Sequence, residues 1–179
     1  MNDRKKILDG ILVLRYQKGD KKALAVLVKR YHNDFCRYAC WYTGDIEMAR
    51  DVVQDSWGIV FLKLKRLRNP DSFKSWAMRI ITRKAQDQLK ASGRVREFKT
   101  QYQPPYETNE SEDEVRLANL RMIQAEIEKM SFNHRLVLRL FYTEQHSLKE
   151  ISNILGISTG TVKSRLYHAR EKLKSELKL

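Results

Sequence analysis

The sequence predicts an all-α protein: two small helical bundles joined by a flexible linker, the C-terminal one containing a helix-turn-helix. Three observations predict it. Apolar residues recur at three- and four-residue steps through most of the chain, and no convincing period-two run marks a strand. From about Arg94 to Asp113 that period fails, and the text KTQYQPPYETNESEDE is polar, acidic and carries Pro104-Pro105. Residues Ser147 to Leu173 read SLKEISNILGISTGTVKSRLYHAREKL, which parses as two short helices joined by a tight turn.

Taken in order, Ile7, Leu8, Ile11, Leu12 and Leu14 give a first helix its apolar stripe, and it ends near Gly19. Asp20 caps a second helix, with Leu24, Leu27, Val28, Tyr31, Phe35 and Tyr38 on or near its inner face and Thr43-Gly44 as its stop. Asp45 opens a third, which carries Ala49, Val52, Val53, Ile59, Val60 and Leu64 inward. The run RLRNPDS interrupts the chain, because Pro70 disfavours helix before it. Asp71 or Ser72 then caps a fourth helix through Phe73, Trp76, Ala77, Ile80, Ile81 and Leu89, ending at Ser92-Gly93. Phe73 and Trp76 read as core, since large rings spaced helically with Ile80 need burial. The acidic stretch buries too little to fold and reads as a linker. Helicity resumes near Glu114 with Val115, Leu117, Leu120, Ile123, Ile127 and Met130, and a further helix spans about Asn133 to Tyr142. The expected divisions are 1–95, 96–113 and 114–179.

The helix pair is punctuated at every joint. Ser147 followed by Glu150 makes a capping box, in which each satisfies the other's orphan amide. Leu148, Ile151, Ile154 and Leu155 form one face. Gly156 suits a left-handed turn, and Ser158 or Thr159 caps the next helix. There Val162, Leu166, Ala169 and Leu173 fall on one stripe. The opposite face centres on Gly160, Ser164, Tyr167, His168 and Glu171, flanked by Thr161, Lys163 and Arg165. A helix that is apolar behind and small, basic and hydroxylated in front is built to lie in the major groove of DNA.

Charge points the same way. The chain has 179 residues with 35 Lys and Arg against 22 Asp and Glu, a net charge of +13. Such a balance favours polyanionic partners, nucleic acid first. Residues 1–98 hold 22 basic and 11 acidic residues and 119–179 hold 11 and six, whereas 99–118 hold two and five. Two basic segments therefore flank an acidic one. No apolar run approaches the roughly 18 residues that span a bilayer, so no membrane insertion is expected, and the start MNDRKKILDG does not read as a secretory signal. Two cysteines make no disulfide framework and fit a reducing cytoplasm. His32, Cys36 and Cys40 share a helical face, but no fourth ligand accompanies them and the C-x-x-C spacing is missing. The thiols read as buried packing residues, with no metal and no cofactor expected. Four scattered histidines and no plausible acid triad argue against a catalyst.

The segment SLKEISNILGISTGTVKSRLYHAREKL resembles the upstream-promoter-reading domain of bacterial RNA polymerase sigma factors, most closely the extracytoplasmic-function (ECF) class. In the N-terminal half, GDIEMARDVVQDSWGIVFLKL resembles the core-binding segment of that class, and SFKSWAMRIITRKAQDQLK its promoter-melting helix. The resemblance covers nearly the whole chain. It implies that Asp51, Gln54 and Asp55 dock on the clamp helices of the polymerase's largest subunit, and that the C-terminal domain meets the flap of the second-largest. It implies that helix four and the loop before it hold the non-template strand of the melted −10 element, with Asn69, Asp71, Ser72, Lys74, Arg79, Arg83, Lys84 and Asp87 as the residues concerned. In the upstream −35 element, Lys163, Ser164, Tyr167 and His168 would reach base edges, while Thr161 and Arg165 bind phosphates. Three positions bear on the family pattern. Arg83 stands where the family usually has asparagine, Asp87 keeps the family's acid, and Met130-Ser131 replaces the usual Leu-Pro. The acidic linker reads as a tether, although in the family it can enter the polymerase's RNA path. Members of the class are often held by an anti-sigma factor. A promoter-binding regulator that is not a polymerase subunit explains the C-terminal helices equally well, but not Asp51-x-x-Gln54-Asp55.

Overall fold

The computed structural model describes residues 2–93 and 113–176, and side chains within 4–93 and 120–176. The expected linker therefore lies outside the described residues apart from Asp113, as do the side chains of Val115 and Leu117. Among the described residues the fold is all-α, with no strand. The chain divides into two compact units.

The N-terminal unit consists of four helices: α1 (Asn2–Gln17), α2 (Lys21–Thr43), α3 (Ile46–Lys63) and α4 (Phe73–Ala91). The Asp20 side chain accepts from Lys22 N and caps α2, which ends at Gly44 with φ 70°, and the Asp45 side chain accepts from Met48 N and caps α3. Helix α2 packs on α3, α3 on α4, and α1 lies across α2 and α4. Leu27, Phe35, Tyr38, Val52, Val53, Leu64, Phe73, Met78 and Ile81 fill the interior at 0–2 % exposure. The Phe35 ring lies 5.4 Å from Trp57, and Tyr31 lies 5.5 Å from Phe35 and 5.8 Å from Phe73. One aromatic cluster thus joins three helices. Side chains of α1 also meet carbonyls at and just beyond the end of α3. Tyr16 Oη donates to Phe61 O at 3.1 Å, and Gln17 Nε2 donates to Leu64 O and Leu67 O.

Four expectations are corrected in this unit. Ile7, Leu8, Ile11 and Leu14 are about half exposed, not core, and Leu12 is half-buried. The buried row of α1 is Asp9, Val13 and Tyr16. That row has helical spacing, but its first member is a carboxylate whose partners sit on α2, so the apolar count favoured the wrong face. Neither Asp71 nor Ser72 makes a side-chain cap for α4. Instead, Asn69 Oδ1 accepts from Asp71 N at 3.2 Å in a single 3₁₀ turn at Pro70–Ser72, and Ser72 Oγ donates back to Asn69 O at 2.6 Å. Phe73 is fully buried as expected, whereas Trp76 and Ile80 are only half-buried and Met78 takes the interior place. Cys36 and Cys40 are likewise half-buried, not enclosed. The described residues gather no group of three metal-ligand side chains, although Cys36 Sγ lies 3.6 Å from His32 Nε2.

The C-terminal part of the chain carries α5 (Asp113–Glu128), α6 (Phe132–Leu138), α7 (Leu148–Leu155) and α8 (Thr159–Glu176). Helices α5 and α6 both pack on α8. Met130, Leu136, Val137, Leu140, Ile151, Ile154, Val162, Leu166 and Ala169 are buried. On α5, Ile123 and Ile127 are half-buried, but Leu120 is 44 % exposed and leaves the expected inner stripe. Helix α6 does not run on as a regular helix to Tyr142. It widens into a π turn at Arg139–Thr143, and His146 N then donates to Leu140 O at 3.0 Å.

The capping box forms in full. Glu150 N donates to Ser147 Oγ at 3.3 Å, and Ser147 N donates to Glu150 Oε2 at 2.8 Å. Gly156 takes φ 68°, a conformation that glycine adopts without a Cβ penalty, and its N–H closes on Ser152 O at 2.9 Å. Ser158 is the cap of α8, since its Oγ accepts from Thr161 N at 3.0 Å. Removing the first of these caps has a defined cost. Ser147→Ala is expected to lower stability by about 1 kcal/mol, seen as a lower urea midpoint with an unchanged slope. An unmoved midpoint would show that water or a neighbour replaces the hydroxyl.

Candidate nucleic-acid interface

Helix α8 separates its two faces cleanly. Val162, Leu166 and Ala169 are 0–3 % exposed, while Lys163, Ser164, Tyr167 and His168 are exposed, Tyr167 to 59 %. Thr161 and Arg165 lie half-buried on the flanks. The expected base-reading and phosphate-binding positions therefore share one helix, with the flank residues nearer the body of the unit. Ring planes of Tyr167 and His168 meet edge-on at 5.5 Å.

The electrostatics of this face are visible at His134, near the start of α6. Burial lowers its affinity for a proton, and its proximity to His168, Arg165 and Lys172 lowers it further. The field of α8 thus reaches a side chain on α6. Arg170 is held differently, its guanidinium 5.3 Å from the Phe141 ring and 5.5 Å from Tyr142, a cation–π arrangement that fixes α8 to the π turn. The sequence reading missed both residues. Arg170 had a local signal, lying two turns after Lys163, but its aromatic partners come from a different helix. His134 had none.

In the N-terminal unit, Asp51, Gln54 and Asp55 are all exposed on α3. The other candidates lie on α4 and its approach. Asn69, Asp71, Arg83 and Asp87 are exposed, and Ser72, Lys74, Arg79 and Lys84 are half-buried. The two groups meet at one point, where Lys84 Nζ lies 2.9 Å from Asp55 Oδ2. Behind them sits a polar node that the sequence did not reveal. Asp9 is 2 % exposed, accepts a hydrogen bond from the Tyr31 hydroxyl, and faces Arg30 Nη1 at 3.2 Å. Burial raises the Asp9 carboxyl above the usual carboxylate range, against the opposing pull of Tyr31, Arg30, Lys74 and Lys5.

With this geometry in place, comparison with known proteins is decisive. Sigma-70 region 2 matches residues 27–95 and Sigma-70, region 4, matches residues 120–173. The ECF RNA polymerase sigma-E factor of Haemophilus influenzae is 30 % identical over 190 residues, spanning 96 % of this chain and 96 % of that protein. The chain belongs to the ECF sigma factors. The RNA polymerase sigma factor SigV of Bacillus subtilis is 26 % identical over 92 % of this chain and 96 % of its own. Among solved structures, the sigma factor RpoE of Bartonella quintana, in complex with the anti-sigma factor NepR, shares the fold. Its TM-score is 0.66 at 19 % identity, over 88 % of this chain and 98 % of that one. Promoter-directed initiation of transcription is the work of this family. Among the described residues, no helix of this sigma factor is long and apolar enough to cross a membrane.

Proposed function

We propose that this sigma factor divides its work by domain. Residues 1–95 bind core polymerase and capture the melted −10 strand, residues 96–113 tether, and residues 114–179 read the −35 element. The observation that carries this reading is α8, apolar on its buried side and presenting Lys163, Ser164, Tyr167 and His168 on the other. Lys163 and Ser164 read base edges in the major groove, with Tyr167 and His168 one turn on. Thr161 and Arg165 hold phosphates and set register without reading sequence.

In the N-terminal domain, Asp51, Gln54 and Asp55 dock on the clamp helices of the largest polymerase subunit, while the C-terminal domain meets the flap of the second-largest. Unstacking promoter bases costs a few kcal/mol per step, and contacts to the unpaired base must recover it. Asn69, Asp71 and Ser72 shape the entrance, Lys74, Arg79 and Lys84 follow the strand backbone, and Arg83 and Asp87 border the base. Cations along a strand make binding strongly salt-dependent. Two weak readers on one scaffold act at high effective concentration only when promoter spacing fits. The sigma factor itself makes no bond; it works in the cytoplasm beside polymerase. An anti-sigma factor, such as the one complexed with the Bartonella relative, is the fitting regulator.

Run-off transcription with core polymerase and a randomised promoter library tests the reading. Transcripts should appear only with the chain present, from templates that share two short elements at fixed spacing. A chain that neither associates with core nor directs initiation from any template would leave only a DNA-binding regulator.

A further inference from the structure

The approach to α4 is seated on α1. The 3₁₀ turn at Pro70–Ser72 packs against that helix. Gly10 lies buried in the middle of α1, a place where glycine weakens a helix relative to alanine. Its use is spatial. A Cβ at position 10 would collide with Asp71 Oδ1 but would stand 3.6 Å from the Asp71 backbone nitrogen, which is ordinary contact. The missing methyl therefore makes room for the Asp71 carboxylate, not for the loop backbone. The neighbouring residue works on the other end of the segment. Asp9 receives the Tyr31 hydroxyl, the Tyr31 ring lies 5.8 Å from Phe73, the first residue of α4, and Lys74 is among the cations whose field reaches the Asp9 carboxylate. Of two consecutive residues of α1, Gly10 thus leaves room for Asp71 on one side, and Asp9 reaches toward Phe73 through the Tyr31 ring and toward Lys74 through charge on the other.

We propose that Asp9 and Gly10 are positioning residues for promoter-strand capture, holding segment 69–75 in its binding shape without touching DNA. This rests on the reading that the segment grips the −10 strand.

The test uses holoenzyme assembled from core polymerase and the full chain, with single-stranded −10 oligonucleotides as the probe. Gly10→Ala should fold, because alanine suits a helix and the colliding atom is the end of a side chain that can rotate. It should lower strand affinity about fivefold, reorder the preference among −10 base variants, and leave affinity for core unchanged. In an Asp71→Ala background the same substitution should change nothing, because the carboxylate it displaces is gone. Asp9→Asn, reaching the segment from its other end, should also lower strand affinity with core affinity unchanged. An equal loss from Gly10→Ala in both backgrounds, a loss uniform across base variants, or no loss at all would overturn the positioning role. If Asn69→Ala and Lys74→Ala leave strand binding intact, the strand-grip reading itself fails, and the failure is recognisable as such.

Discussion

Alanine at Lys163 should flatten base preference at one position of the −35 element, whereas alanine at Arg165 should weaken binding to every sequence alike. The two side chains sit two residues apart on α8 but stand in different places. Lys163 is fully on the exposed face beside Ser164, and Arg165 is half-buried at its flank. A side chain pointing into the groove meets donors and acceptors that differ between base pairs, and a good contact there contributes about 1–3 kcal/mol of discrimination. A flank residue meets phosphates, which are the same at every position. Losing one phosphate contact also shallows the salt dependence, reducing the slope of log affinity against log salt by about one. The measurement is a promoter-variant binding series with each holoenzyme at several salt concentrations. Matching preference profiles for the two variants, or a flattened profile from Arg165→Ala, would reverse the assignment.

Much of the architecture of α7 and α8 was legible from sequence because its signals are local. The capping pair Ser147 and Glu150, the left-handed Gly156 and the stripe Val162–Leu166–Ala169 lie within 23 residues, and their periodicity alone fixes which side of α8 faces outward. The caps Asp20 and Asp45 were readable for the same reason. What failed depended on a partner distant in the chain. Helix α1 has more apolar residues on its exposed side than on its buried side, and only the approach of Tyr31, 22 residues away, makes Asp9 an interior residue. The start of α4 failed similarly. Asp71 and Ser72 have the composition of caps, but Asp71 is drawn toward α1 and Asn69 bonds the turn instead. The pairing of Lys84 with Asp55 joins residues 29 apart on different helices, which no period within either helix foretells.

Tyr31→Phe should destabilise the N-terminal unit by about 1–3 kcal/mol, the range for leaving a buried acceptor without its donor. The variant keeps the ring, and so its contacts with Phe35 and Phe73. It removes only the donor that meets Asp9, a side chain 2 % exposed. Arg30 remains opposite the carboxylate at 3.2 Å but is itself partly in water, so it compensates incompletely. Replacing both partners with apolar groups should cost less than the single change, because no buried acceptor is then stranded. The Asp9→Leu/Tyr31→Phe double variant should therefore be the more stable of the two at neutral pH. The pH dependence has a definite sign. Burial raises the Asp9 carboxyl above its ordinary value of 3.8. The folded state therefore keeps a proton that the unfolded state has released, and stability from this group falls as pH rises from that value through the raised one. Tyr31 is a factor pulling the carboxyl back down. Without it the raised value climbs further, so the cost of Tyr31→Phe should grow with pH between the raised value of the native protein and the still higher one of the variant, and be smallest in acid. Urea denaturation of both proteins from pH 4 to 8 reads this directly. A cost that stays constant, or grows toward acid, would mean that the Tyr31 hydroxyl does not stabilise the Asp9 carboxylate.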